Sequence, residues 1–157
     1  MTTIAGGLRG TVTTLPLSGV GDVTGVDGTG STIDTTSIDD VGQLFPTATT
    51  ITGISAYLSL TQAQSLVGTT VTIQAQLYIS TTPDNTFTPV PGAVVTLAPA
   101  LTGALAIGTI STGQVTGLSI PIIAGTRGMI VVSATAAGVA LINIISGHAS
   151  VSLSAST

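Results

Sequence analysis

Cysteine, lysine and tryptophan are absent from this 157-residue chain, and charge of either sign is scarce. Lys+Arg 2, Asp+Glu 6 and a single His leave 5% of residues charged, against about 25% in an ordinary soluble domain. Without cysteine there is no disulfide framework, no thiolate zinc site and no thiol nucleophile. The only basic residues are Arg9 and Arg127, and the formal net charge is -4. No patch can therefore neutralise a row of phosphates or hold an anionic bilayer, which excludes nucleic acid and a membrane surface as partners. No stretch is long and apolar enough for a membrane-spanning helix. Phe45, Tyr57, Tyr78 and Phe87 are all the aromatic residues there are, too few for the two interfacial girdles of a transmembrane barrel. The opening MTTIAGGLRG lacks the basic segment and apolar run of a standard secretory signal.

What remains is largely apolar and hydroxyl-bearing: 43% of residues are hydrophobic and the mean hydropathy is +0.71. Their arrangement has period two. In Thr69–Ser80, Val71, Ile73, Ala75, Leu77 and Ile79 fall on one face and Thr72, Gln74, Gln76 and Tyr78 on the other, the pattern of a half-buried strand. The last stretch repeats it, with Ile145, Gly147, Ala149, Val151, Leu153 and Ala155 alternating with Ser146, His148, Ser150, Ser152 and Ser154. Further β-rich runs cover Ile54–Leu60, Ala93–Leu97, Ala106–Ser111, Gln114–Ile123 and Met129–Thr135, with turns expected at TTPDNT and PVPG. Only Thr61–Val67 hints at a helical turn. Residues 1–45 read as a Gly- and Asp-rich, loop-rich lead-in with short strands, holding five of the six acids. The whole predicts one domain over 1–157, all-β, an antiparallel sandwich or jelly roll.

A strand edge left unpaired templates aggregation and is usually protected by Lys, Pro or inward charge. This chain has no lysine, so its edges are expected to be closed by the fold, guarded by Pro89, Pro91, Pro99 and Pro121, or covered by a neighbouring subunit.

Sites of chemistry are few. His148 stands among serines, and Ser146 or Ser150 beside it makes a Ser-His-Asp triad formally conceivable. Side chains two apart on one strand do not make the nucleophile–base hydrogen bond by themselves, and no G-x-S-x-G elbow is present. A polar surface or interface histidine is the expectation, with no catalytic residue. Asp22, Asp27 and Asp34 offer oxygen ligands of the kind calcium takes, but their spacing fits neither an EF-hand nor a repeated nonapeptide, so turn-forming Asp-Gly chemistry is expected and no metal. In a strand Asp39 and Asp40 point to opposite faces, which argues against a shared-proton dyad. Gly25, Gly28 and Gly30 are followed by neither a helix nor a lysine, so no phosphate loop and no cofactor are expected. Arg127, in a GTRG turn, is expected to pair with an Asp across a subunit boundary, the alternative being an exposed turn residue that contributes nothing measurable.

The segments ISAYLSLTQAQSLVGTTVTIQAQLYISTTPDNTFTPVPGAVVTLAPALTG, IGTIS, GLSIP and MIVVSATAAG resemble the C-terminal domains of the Bacillus collagen-like exosporium glycoproteins, most closely the BclB type. The likeness is strongest over 54–103 and 129–138. It implies a jelly roll similar to the tumour-necrosis-factor and C1q heads, assembled as a homotrimer at the spore surface, and it brings no active-site residue with it. The Gly-X-Y repeat that precedes such heads is not in this sequence. The residues agree in purpose: no Cys to oxidise, no Lys and two Arg for trypsin-like cleavage suit an outer coat. The function expected is thus a non-enzymatic, extracellular structural head on the exosporium. The alternative is a receptor- or glycan-binding head of a surface or phage fibre, reading its ligand through Tyr57, Tyr78 or Phe87.

Overall fold

The computed structural model describes residues 1–19, 21–82 and 84–157. Among the described residues there are eleven strands: β1 (Thr11–Leu15), β2 (Val23–Asp27), β3 (Ile33–Asp34), β4 (Gln43–Leu44), β5 (Thr49–Leu60), β6 (Gln64–Ser80), β7 (Thr86–Thr96), β8 (Leu101–Leu105), β9 (Ile110–Ile122), β10 (Arg127–Gly138) and β11 (Gly147–Ser156). Every pairing between them is antiparallel. An eight-stranded sheet runs β2-β1-β10-β6-β7-β3, with β4 also on β10 and β8 also on β6, and a three-stranded sheet runs β11-β5-β9. The two stack as an all-β, jelly-roll-like sandwich.

The alternation read in the sequence is the reason for the core. Val71, Ile73, Ala75 and Leu77 of β6, Ile130, Val132 and Ala134 of β10, and Ile54, Ala56, Leu58 and Leu60 of β5 are buried together between the sheets. Each fully buried Leu or Ile contributes about 1.5–3 kcal/mol relative to an exposed one. Along β7 and β9 the seam of the sandwich is closed: Ala98 and Thr112 bridge the two sheets, and the Ser111 hydroxyl donates to the Pro99 carbonyl at 2.7 Å.

A second, smaller core lies on the back of the large sheet. Val12, Val26, Ile33, Tyr78, Phe87, Met129 and Val131 are buried there. The chain from β2, at one edge of that sheet, crosses to β3, near the other, and forms a strap over it. Residues 1–45 are therefore more than a lead-in. β1 is an interior strand between β2 and β10, and the strap makes the back face apolar. Tyr78, expected on the polar face of its strand, is only 1% exposed because the strap covers it.

Three further expectations are corrected. Thr61–Val67 holds no helical turn, because Gln64, Ser65 and Leu66 pair with Leu105, Ala104 and Gly103 of β8 and bury Leu66. Ala106–Ser111 is not one run, since the turn around Gly108 separates β8 from β9. The PVPG segment is not a turn between strands but an irregularity inside β7: pairing with β6 jumps from Pro89 to Val94, with Gly92 at φ 80. Pro89 and Pro91 thus sit on a strand that meets its outer neighbour, β3, only at Thr86 and Phe87, where missing donors cost little.

Candidate functional site

Both arginines serve the strap. Arg9 donates from Nη1 to the Tyr78 hydroxyl at 2.7 Å, and from Nε and Nη2 to the carbonyls of Gly28 and Gly30 at 2.5 and 2.6 Å. Arg127 meets the Asp40 carboxylate at 2.6 Å, donates to the Asp84 carbonyl at 2.9 Å and lies 5.2 Å from the centroid of the Phe87 ring. Arg127 therefore pairs within its own chain, which corrects the expectation of a partner across a subunit boundary. The sequence places its partner Asp40 87 positions away, and no local signal links them.

The acids are occupied in turns. Asp27 accepts from the Thr29 N–H and hydroxyl at 2.9 and 2.7 Å, Asp34 from those of Thr36 at 2.9 and 2.6 Å, and Asp84 from the Thr86 N–H at 2.9 Å. Asp40 accepts from the Gly42 N–H at 2.7 Å in the same i to i+2 geometry. Three of these Asx turns sit on an Asp-x-Thr spacing, at DGT, DTT and DNT, a spacing that the sequence also carries at DVT, residues 22–24. Hydrogen bonds from the Thr29 backbone and side chain hold the Asp27 carboxyl below its ordinary range, and those from the Thr36 hydroxyl and backbone do the same for Asp34. Burial pushes Asp40 up, but bonds from Arg127, the Gly42 N–H and Thr35 outweigh it and its pKa is lowered. Among the described residues no group of His, Cys, Asp and Glu is gathered as a metal would require. Asp39 and Asp40 lie in the loop between β3 and β4 rather than in a strand.

The outer face of the three-stranded sheet is built in rows by its register. His148, Ser59 and Ile110 form one row, then Ser150, Tyr57 and Thr112, then Ser152, Ser55 and Gln114, then Ser154, Gly53 and Thr116. No Asp, Glu, Lys or Arg stands in these rows. Tyr57, 37% exposed, stands at the centre beside a hollow of about 220 Å³ lined by Ser55, Ser150 and Ser152. Of the three aromatic residues weighed for ligand contact, it alone is accessible, since Tyr78 and Phe87 belong to the back core.

On the side opposite the closed seam, a cleft of about 710 Å³ separates β11 from β1 and β2. Thr11, Thr13 and Leu15 line it from the large sheet and Ala149 and Val151 from the small one. Asp22, Ser146, His148 and Ser150 also line it, so the fold gathers the three residue types of a hydrolytic triad around one opening. Among the described residues no hydrogen bond or ion pair joins them, and the nucleophile–base and base–acid contacts that define a triad are not made.

One end of the molecule is apolar. Segments 2–8, 64–68 and 138–145 interlock there through the Thr2–Ile144 bridge, the Thr3 hydroxyl on the Leu141 carbonyl at 2.8 Å, and the Val139 N–H on the Gly68 carbonyl at 3.0 Å. The approach is close: a Cβ on Gly138, which sits at φ +116, would lie 2.2 Å from the Gly68 carbonyl oxygen. Ile4, Leu8, Val67, Val139, Ile142 and Ile144 project from this end, Val139 with 85% of its surface exposed. The opposite end carries Asp34, Asp40, Asp84 and Arg127.

No family model, curated protein or solved structure compared with the chain matches it.

Proposed function

We propose that the domain is a non-enzymatic structural head of an extracellular, spore-surface collagen-like protein, assembled as a homotrimer. The observation that carries the assembly is the apolar end. The aliphatic side chains of Ile4, Leu8, Val67, Val139, Ile142 and Ile144 stand in solvent on a domain whose two cores are already filled. Exposed apolar side chains clustered in this way mark a contact site, and none of these six residues carries a charge that would oppose the approach of a like surface. The spore-coat setting rests on the resemblance of the quoted segments and on the scarcity of reactive groups. Native mass measurement in dilute buffer tests the reading: a mass three times the 15.3-kDa protomer, lost on Val139→Asp with Ile142→Asp, is expected. A monomer in dilute buffer overturns it.

A second reading has one observation in its favour. The uncharged hydroxyl face around Tyr57 suits a neutral glycan, with the ring as a stacking platform. Glycan-array binding that disappears with Tyr57→Ala would establish it, and binding unchanged by that substitution would dismiss it.

A further inference from the structure

A trypsin-class protease cuts after lysine or arginine and takes that side chain into an acid-floored pocket. With no lysine and two arginines, the chain offers such a protease two bonds, Arg9–Gly10 and Arg127–Gly128. The bond must also arrive extended and unpaired, which is why exposed loop tips are the usual places of nicking. Neither condition is met at either bond, and at both of them the strap is part of the reason.

At the first bond, Arg9 is held by its donations to the Tyr78 hydroxyl and to the Gly28 and Gly30 carbonyls. The backbone of Gly10 is occupied on both sides, its N–H by the Thr2 carbonyl at 3.0 Å and its carbonyl by the Gly28 N–H at 2.9 Å. Gly10 is buried. At the second bond, Arg127 is held by the Asp40 carboxylate and the Asp84 carbonyl. Arg127 and Gly128 pair with Ser80 and Ile79 of β6 on one side and with Leu44 and Gln43 of β4 on the other. Gly128 is buried as well. The strap passes close over this bond: a Cβ on Gly42 would lie 2.4 Å from the Phe87 ring and 3.0 Å from the Arg127 guanidinium.

Residues 28–30, where the strap begins, therefore close the first bond, and residues 40–44, where it ends, close the second. The two side chains that a protease must capture are the same two that hold the strap down. We infer that the strap is a proteolytic latch: closed, it hides both bonds, and its lifting as one piece from the back of the folded sandwich unlocks both. Between its ends the strap is lightly tied, since β3 pairs with β7 only at Phe87 and Thr86. Segments held by few contacts open on their own while the rest of a fold stays closed. Each cut then adds water across an Arg–Gly bond, leaving a carboxylate on the arginine and an ammonium on the glycine. A cut at Arg9 severs the segment that carries Ile4 and Leu8 of the apolar end, so the latch also governs whether that end stays whole.

The test is limited digestion of the intact chain with trypsin, each cut being followed by mass spectrometry. When opening and closing are fast relative to the cut, the rate follows the population of the open form, so cutting is expected about a hundredfold more slowly than in a free peptide copying residues 5–14. Asp40→Asn, at the far end of the strap from Arg9, should speed the cut at Arg9 about fivefold as well as the cut at Arg127, and Tyr78→Phe, at the near end, should speed both likewise. Ile73→Val, in the front core, should leave both rates within about twofold although it lowers global stability. The inference is overturned if Ile73→Val speeds cutting as much as the strap variants do, since global unfolding would then be the gate. It is equally overturned if each strap variant speeds only its own bond, or if the intact chain is cut as fast as the peptide. Every contact invoked lies within one chain, so the latch is expected in a monomer as in a trimer, and a native mass measured alongside lets the two proposals fail separately.

Discussion

The large sheet is buried on both faces, and the two faces are buried by different means. The front is covered by a second sheet whose apolar residues pack against its own, with the Ala98–Thr112 bridge and the Ser111–Pro99 hydrogen bond closing one seam. The back is covered by a single strap of chain, too thin to supply a matching apolar layer, and it is held by hydrogen bonds from Arg9 and by the Arg127–Asp40 pair. A chain with only two cations spends both on the same task. Cohesion by area is spread over many residues and tolerates small losses. Cohesion by directed polar contacts is concentrated, and removing one member leaves its partners without a mate.

That contrast can be broken at several points. Ile73→Ala, in the front core, should cost about 2–5 kcal/mol and lower the midpoint of urea unfolding without giving a separate transition. A biphasic curve would show that the front does not unfold as one unit. Arg9→Met should cost less overall, about 1.5–3 kcal/mol, but hydrogen exchange should quicken selectively in 28–34 while the interior of β6 and β10 stays slow. Uniform acceleration would mean that the strap and the sandwich are one cooperative piece.

Acid sharpens the same division. The folded Asp40 carboxyl is held below its ordinary value of 3.8, so its contribution is present above that pH and is lost as pH falls through the lowered folded value. Asp27, Asp34 and Asp84 are shifted the same way and act in the same direction. The strap should therefore loosen below about pH 4 while the front core persists, and Asp40→Asn should flatten part of that dependence in pH-resolved thermal melts. An unchanged slope in the variant would assign the acid sensitivity elsewhere. The smallest effect concerns Thr126, whose buried hydroxyl has no hydrogen-bond partner among the described residues. Thr126→Val should leave stability equal or raise it by about 1 kcal/mol, and a clear loss would reveal an unseen partner for that oxygen.

The front of the molecule was legible in the sequence because its physics is periodic. Val71 to Leu77 announce a strand and name its inward residues without reference to anything distant, and Ile54 to Leu60 and Met129 to Thr135 announce strands by their β-rich composition. The back was not legible. Tyr78 alternates with Gln74 and Gln76, and only a strap returning from fifty residues earlier turns its face apolar. Arg127 and Asp40 lie 87 positions apart, and neither carries a local mark of its partner. Leu66 was misread for a related reason, since TQAQSLV has the local composition of a turn of helix and its pairing with Gly103 of β8 is what overrides it. Among candidate sites, the Asx turns of Asp27 and Asp34 were legible as turn chemistry, whereas the cleft is a product of the unequal widths of two sheets, a quantity that no single segment encodes.

Strand β11 lies along β5 from Gly147 beside Leu60 to Ser156 beside Thr50. Its direction makes the fold mechanically anisotropic. Tension applied at Ser156 along the strand axis loads every cross-strand link in parallel, as a lap joint is loaded. The same tension turned outward opens the links in sequence, as a zip, at a far smaller force.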